Sequence, residues 1–274
     1  MTAPTTTRRF PLSGPINLSV RLGHGSLTVR TADELTEAVV ELSPGEGTTD
    51  LVGRMTVEMS GPTLVVHAPR QGGLADLLAP WRPNWAGGVA VVVTVPRGTA
   101  LKIATFTGPI TVHGRCGGAD VATGSGAISL DVVDGDLTLR YGSAQSSVAR
   151  VTGSATVRSG SGDARFGEVG GDLVSGCGSG LLQADAVHGN TRVRSGSGGA
   201  RLGAVFGDVD LASGAGQVSI GFPAGVTARL DVHTGSGRVT SELPVKDRPA
   251  IAKGSITVRA RTGSGDVRLF RSAA

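Results

Sequence analysis

The residue types that most often carry chemistry form no recognisable constellation in this sequence. The five histidines are scattered and show none of the short spacings of a zinc site. The glycine-rich stretch 159–162 lacks the Lys-Ser/Thr that follows in a phosphate-binding loop. Cys116 and Cys177 are far apart in the chain and are predicted to remain free thiols, as is usual in a reducing compartment. We therefore expect no metal and no cofactor.

The densest acidic group is formed by Asp131, Asp134 and Asp136. A glycan-cleaving enzyme needs a pair of carboxylates on one face of a groove. Here the three carboxylates surround a predicted turn, where solvated acidic residues are common. The pattern predicts a non-enzymatic protein, and a carbohydrate-active, polysaccharide lyase-like enzyme is the alternative.

Basic residues exceed acidic ones only slightly, with 26 Lys and Arg against 22 Asp and Glu and a net charge of +4. No run of four basic residues occurs. This balance does not indicate a nucleic-acid surface, so a nucleic-acid partner is not expected.

Glycine is placed at regular intervals and accounts for 44 of the 274 residues. Gly-Ser-Gly or a close variant recurs in steps of 18 residues, at Gly124, Gly142, Gly160, Gly178, Gly196 and Gly214. Each unit holds two short runs of alternating apolar residues, which predict two strands with one buried face. Two strands and two glycine corners describe one coil of a β-solenoid, in which stacked coils share a core. The expected fold is all-β, a β-solenoid (β-helix) of about 18-residue coils with an N-terminal β-strand cap region; a rolled antiparallel meander is the alternative.

Polar residues also form columns in this frame. Positions are counted from the first glycine of each 18-residue unit, so that Gly124 is position one. Aspartates recur at position thirteen, and arginines recur at positions six and seventeen. We expect solvated outer faces that limit aggregation. The alternative is contact with an anionic polymer, which requires the arginines to lie on one face without aspartate partners. The columns consist of Asp136, Asp172 and Asp208; of Arg140, Arg158 and Arg194; and of Arg165 and Arg201.

The chain outside the repeats divides by composition. The predicted organisation is a flexible tail at 1–8, an N-terminal β region at 9–87, and the solenoid array at 88–274 with an exposed loop at 245–254. Within the N-terminal region, five short strands are predicted at 16–22, 26–30, 38–42, 55–59 and 63–68.

The segment 70–87 concentrates bulky apolar residues outside any predicted strand. The favoured interpretation is a cap that packs over the solenoid, and the alternative is an exposed element that docks on a partner or a membrane surface. The candidate contact residues are Leu74, Leu77, Leu78, Trp81 and Trp85.

The sequence contains no run of 18 apolar residues and therefore predicts no transmembrane helix. The arginines near the N-terminus are followed by FPLSGP, which is too broken to be the apolar region of a signal peptide. A cytoplasmic location is expected.

Several stretches together resemble the bacterial putative-adhesin (toastrack-type) β-strand-repeat family. They are the entry VTVPRG at 93–98, the recurring Gly-Asp-Leu/Val-x-Leu at 135–139 and 207–211, and the closing patterns at 229–237 and 262–267. The resemblance covers roughly residues 10–270. It implies a β-helix like that of pectin lyases without their catalytic residues, and roles in adhesion or envelope-stress sensing beside membrane-associated partners.

The sequence thus predicts a non-enzymatic binding or scaffolding solenoid. A protein partner or self-association is expected, and contact with a membrane surface through the tryptophan segment is a further option. A carbohydrate-active enzyme and a basic solenoid that binds an anionic polymer are the alternatives.

Overall fold

The computed structural model describes residues 5–45, 47–69, 88–243 and 255–272. The chain divides into two compact units, Met1–Asp131 and Val132–Ala274. Both are built from β-strands, and α1 (Thr49–Gly53) is the only helix among the described residues. The expected all-β solenoid fold is confirmed.

Unit 1 holds ten strands, the last of which contains the boundary between the units. They are β1 (Thr6–Pro11), β2 (Asn17–Ala32), β3 (Glu37–Pro44), β4 (Thr56–Ser60), β5 (Thr63–His67), β6 (Val89–Pro96), β7 (Ala100–Thr107), β8 (Ile110–Cys116), β9 (Ala119–Ser125) and β10 (Ile128–Val133).

Strand β2 forms the first coil of unit 1 and is longer than the sequence predicts. The sequence predicts two strands at 16–22 and 26–30, but they are one strand of 16 residues. Its first half pairs in parallel with β5 and β7, and its second half with β6 and β8 in the other sheet. The backbone turns between the sheets at Gly25, whose φ of +131° favours glycine. Pairing on both sides of this corner keeps the strand continuous.

Antiparallel strands lie at the outer edges of the two sheets of unit 1. Strand β1 pairs with β3, β3 with β6, and β4 with β5. Because β1 begins at Thr6, the flexible tail expected at 1–8 is too long by at least three residues. A guanidinium nitrogen of Arg8 donates to the carbonyl of Val57 at 3.2 Å, so an edge-to-edge contact orders this segment.

Unit 2 holds fourteen strands. They are β11 (Leu137–Ser143), β12 (Ser146–Val151), β13 (Ala155–Ser161), β14 (Ala164–Val169), β15 (Leu173–Cys177), β16 (Leu182–Val187), β17 (Thr191–Ser195), β18 (Ala200–Val205), β19 (Val209–Ser213), β20 (Val218–Phe222), β21 (Ala228–Thr234), β22 (Val239–Ser241), β23 (Ile256–Thr262) and β24 (Val267–Arg271).

The strands of unit 2 stack in parallel with the 18-residue register that the sequence predicts. The odd-numbered strands from β11 to β19 form one sheet, in which Leu137 is opposite Ala155 and Leu173 is opposite Thr191. The even-numbered strands from β12 to β20 form the other sheet. We call these the odd sheet and the even sheet; β23 and β21 continue the odd sheet, and β24 and β22 continue the even sheet. Each coil contributes one strand to each sheet, which is the β-solenoid arrangement.

The last two coils of unit 2 are not stacked in the order of the sequence. Strand β23 lies between β19 and β21, and β24 lies between β20 and β22. Val209 is therefore opposite Val258, 49 residues away, rather than opposite Leu230. The sequence shows the irregular spacing here but not the order of the coils. The predicted loop at 245–254 lies outside the described residues.

The core consists of ladders of Val, Leu, Ile and Ala between the two sheets of each unit. The core also contains aromatic rings, including those of Phe166 and Phe222, which are both fully buried. Phe166 has Val148 and Ala184 as its neighbours on the adjacent coils. The small alanine leaves space for the phenyl ring, as close packing of large against small residues requires.

Glycine is required at the corners because successive coils approach closely there. A Cβ added to Gly196 would lie 2.7 Å from the carbonyl oxygen of Gly178 on the previous coil. Gly180 occupies another corner position and has a φ of +126°. The glycine period therefore reflects both the coil spacing and the corner conformation.

Candidate functional site

The apolar contact residues predicted for the tryptophan segment cannot be placed. Leu74, Leu77, Leu78, Trp81 and Trp85 lie outside the described residues. The cap and docking interpretations both remain predictions.

The structure divides the five predicted arginines between two faces of unit 2. Arg140 and Arg158 are direct neighbours in the odd sheet, and Gly176 separates Arg158 from Arg194 in the same column. Arg165 and Arg201 form a column in the even sheet, with Gln183 between them. The side chains of both columns alternate with buried neighbours and therefore point outward.

The arginine column of the odd sheet extends beyond the repeat from which it was predicted. Arg194 is followed by Ala212, then by Arg261 and finally by His233. Arginine therefore occupies every second position from Arg158 to Arg261, with Gly176 and Ala212 between. Adjacent strands are about 4.8 Å apart, so these arginines repeat every 9.6 Å or so along the stack.

A shallow groove of about 870 Å³ follows this column. Its floor consists of small residues, including Gly176, Cys177 and Ala212, and Arg194, Arg261 and His233 line it. The groove exists because the residues between the arginines carry little or no side chain. We call it the arginine groove.

Arg194 is held in place by Asp210 on the neighbouring strand. One terminal nitrogen, Nη1, donates to the carbonyls of Val193 and Asp210 at 3.0 Å each, and Nη2 donates to Oδ2 of Asp210 at 2.5 Å. The hydrogen bond from Arg194 lowers the pKa of Asp210, and the nearby charges of Arg192 and Arg259 add to this effect. The anionic-polymer alternative requires arginines without aspartate partners, and Arg194 does not meet this condition.

The outward face of the odd sheet nevertheless carries an excess of positive charge. Asp210 contacts both Arg194 and Arg192, and Asp231 contacts both Arg261 and His233. Each of these two aspartates thus contacts two basic side chains. The outward strand residues of this sheet include two aspartates and seven arginines among those described: Arg140, Arg158, Arg192, Arg194, Arg229, Arg259 and Arg261.

The acidic column at position thirteen has a structural role that the sequence prediction missed. An Oδ1 oxygen of Asp136 accepts the backbone N–H of Ser154 on the next coil at 2.8 Å. Asp172 accepts from Asn190 and Asp208 accepts from Thr257 in the same manner, both at 2.7 Å. These side chains join coil to coil at the corner. The alternation of Asp with Ser or Asn in one column is the signal that could have indicated it.

The acidic group considered for catalysis is also engaged in local contacts. Oδ2 of Asp131 accepts the backbone N–H of Gly114 at 2.9 Å and lies 3.8 Å from the ring of His113. Asp136 accepts the backbone N–H of Ser154 on the next coil, as described above. Over the described residues, no group of three His, Cys, Asp or Glu side chains is arranged to hold a metal ion.

An ion-pair cluster on the even sheet was not predicted from the sequence. Glu168 contacts Arg150 through one carboxylate oxygen and Nε2 of His188 through the other, the latter at 3.1 Å. Slight burial raises the pKa of Glu168, but hydrogen bonds and charge from Arg150 and His188 outweigh it and lower the pKa overall. Phe206 stacks on His188 with ring centroids 4.7 Å apart and is 43% exposed. The cluster lies on an open face with its charges mutually satisfied.

Unit 1 contains a cavity of about 530 Å³ with a mainly apolar lining. Leu22, Leu51, Met55 and Phe106 contribute to it, and Arg54 is among its few charged residues. Phe106 is 64% exposed and its ring lies 5.5 Å from that of His24.

No family model and no curated protein matches the chain. No helix of the described part is long and apolar enough to span a bilayer.

Several solved structures align with almost the whole chain at low identity. A putative adhesin from Bacteroides fragilis NCTC 9343 is 13% identical, with 97% of each chain covered and a TM-score of 0.42. A putative lipid binding protein from Parabacteroides distasonis ATCC 8503 is 11% identical, with 97% of this chain and 96% of that chain covered and a TM-score of 0.43. A putative adhesin from Parabacteroides merdae ATCC 43184 is 12% identical, with 97% and 95% covered and a TM-score of 0.40. The name that recurs among these structures is that of the family which the sequence resembles.

Proposed function

We propose that this protein is a non-enzymatic binding or scaffolding solenoid that holds a partner against the outward face of its stacked strands. The observation that supports the proposal is the arginine groove. It combines a floor of small residues with arginines at a constant spacing, of which Arg194 is fixed by Asp210. A fixed cation in a groove gives directional binding without the entropy cost of ordering a mobile side chain.

The partner in this proposal is another protein, with self-association as one form of it. Roles linked to the envelope or to stress, which the family resemblance implies, belong to the same proposal. So does a cytoplasmic location, which is supported by the two free thiols of Cys116 and Cys177. A second contact through Trp81 and Trp85, with a partner or a membrane surface, is the further possibility from the sequence.

Affinity capture from a lysate of the producing organism tests the proposal. Wild type is compared with the double variant Trp81→Ala/Trp85→Ala and with uncoupled beads, and bound proteins are quantified by mass spectrometry. We expect a small set of saturable partners that the double variant also retains, because the arginine groove is unchanged. Loss of all partners in the double variant would assign binding to the tryptophan segment instead. No enrichment over beads would contradict a binding function.

A further inference from the structure

We infer that the arginine groove accepts an acidic peptide segment in an extended, polyproline-II-like conformation with a carboxylate at every third residue. The inference rests on the proposed binding function and specifies the chemistry of its partner. The carboxylates would contact Arg194 and Arg261, which line the groove, and Arg158, which lies beside Gly176 at its end.

The spacing of the arginines leads to this peptide geometry. Arg158, Arg194 and Arg261 are in register, each separated from the next by one strand that carries Gly176 or Ala212 in the same column. Two strand spacings amount to about 9.6 Å. A polyproline II helix has three residues per turn and rises about 3.1 Å per residue, so side chains on one face repeat every 9.3 Å or so. A carboxylate at every third residue therefore matches three successive arginines within a fraction of an ångström per step.

The groove also accommodates the residues between the carboxylates. Gly176 and Ala212 leave space where the other side chains of the peptide would pass over the floor. Arg194 uses Nη1 and one hydrogen of Nη2 in its contacts with Val193 and Asp210. Its Nε hydrogen and the second Nη2 hydrogen are left for a ligand, because a guanidinium has five N–H donors. The planar guanidinium suits a carboxylate, which accepts two parallel hydrogen bonds.

The same face disfavours a uniformly charged polymer. Asp210 and Asp231 lie beside the column, at side-chain exposures of 41% and 39%. A nucleic acid or polyphosphate carries charge at every unit and would bring phosphates against both carboxylates. The described residues that line the groove also include no Phe, Tyr or Trp on which bases could stack. A sparse acidic peptide can meet the arginines and pass between the aspartates.

The chain offers a matched pair of variants for the test. Arg158→Gln/Arg261→Gln removes two exposed charges from the arginine column, Arg261 in the groove lining and Arg158 beside Gly176 at the end of the groove, and leaves the Arg194–Asp210 contact. Arg165→Gln/Arg201→Gln removes two exposed charges from the outward face of the even sheet. The net charge is the same in both double variants, so only the position of the loss differs. Circular dichroism and thermal unfolding confirm that both remain folded.

The probe is a fluorescein-labelled peptide of repeated Glu-Pro-Pro units, and binding is measured by fluorescence anisotropy at low and physiological salt. The comparison peptide has the same composition with its glutamates in one block. We expect wild type to prefer the spaced peptide. The groove variant should lose affinity by a factor of about ten, which is 1.4 kcal/mol or so, and the even-sheet variant should change it less than about twofold.

Three outcomes would overturn the inference: equal loss in both double variants, equal binding of the two peptides, or displacement of the peptide only by DNA or polyphosphate. The lysate capture is repeated with the groove variant to separate this inference from the proposed function. If partners persist unchanged in the groove variant, the peptide site is wrong while the binding function stands. If wild type captures none, the binding function itself fails.

Discussion

Replacement of Gly196 by alanine tests directly whether the glycine period is set by contact between coils. The new Cβ would lie 2.7 Å from the carbonyl oxygen of Gly178, about 0.7 Å closer than an ordinary contact of 3.4 Å. That oxygen also accepts the backbone N–H of Ser197 at 2.9 Å. Both groups are backbone, so neither can rotate away, and relief of the clash must stretch the hydrogen bond between the coils.

The expected cost follows from these two effects. A weakened backbone hydrogen bond costs about 1 kcal/mol, and steric strain in a well-packed site brings the total to about 1–3 kcal/mol. Gly176→Ala is the matched control, because a Cβ there would meet no atom within 4 Å and its φ is not in the positive range. The control should be as stable as wild type or slightly more stable, by up to 1 kcal/mol or so, since alanine restricts the unfolded chain.

Urea unfolding followed by circular dichroism gives the change in the free energy of unfolding. Hydrogen exchange read by mass spectrometry shows where stability is lost, because stacked repeats can open locally. We expect faster exchange in the peptides that contain Gly178 and Gly196. If Gly196→Ala is as stable as wild type, or if Gly176→Ala loses as much, contact between coils does not explain the glycine column.

Two further predictions concern buried hydroxyl groups. Thr191→Val should raise the free energy of unfolding by about 1 kcal/mol, since Oγ1 of Thr191 is buried without a hydrogen-bond partner in the described structure. The control variant Thr123→Val should lower the free energy of unfolding, because it removes a hydroxyl that donates to the carbonyl of Ser125 at 3.0 Å. A loss of stability in both variants in urea titrations would contradict the argument. Burial raises the pKa of Tyr141 above 10.0, so the contribution of its neutral phenol to stability is complete below pH 10 and is lost as the pH rises through the folded-state pKa. Because Tyr141 is the only tyrosine, phenolate absorbance should show a midpoint above 10 in the folded protein and near 10 in urea, and a folded midpoint at or below 10 would refute the assignment.

The 18-residue coil was predictable because its corners and its buried strand faces each produce a separate pattern in the sequence. Glycine recurs where coils touch at the corners, and alternating apolar residues recur where strands face the core. Strand β2 was split in the prediction because Gly23, His24 and Gly25 resemble a turn. In the structure, pairing with β6 and β7 on either side of the corner carries the strand through it. Long-range pairing of this kind leaves no local signal.

The binding face was predictable only within the 18-residue frame. Arg140, Arg158 and Arg194 could be aligned because their separations are multiples of 18. Arg261 could not, because it lies 49 residues from Ala212, its neighbour in the column. The contact between Arg194 and Asp210 is diagonal between adjacent coils, so comparison of columns one at a time does not reveal it.

The order of the last coils decides the composition of the arginine groove. If the coils had stacked in sequence order, β21 would lie on β19, and the 21-residue spacing would place His233 beside Ala212. Because β23 is inserted between them, Arg261 takes that place and His233 moves one strand further out. The third arginine thereby keeps a spacing of two strands from Arg194. The irregular topology at the end of the array therefore extends the regular arginine spacing on its surface.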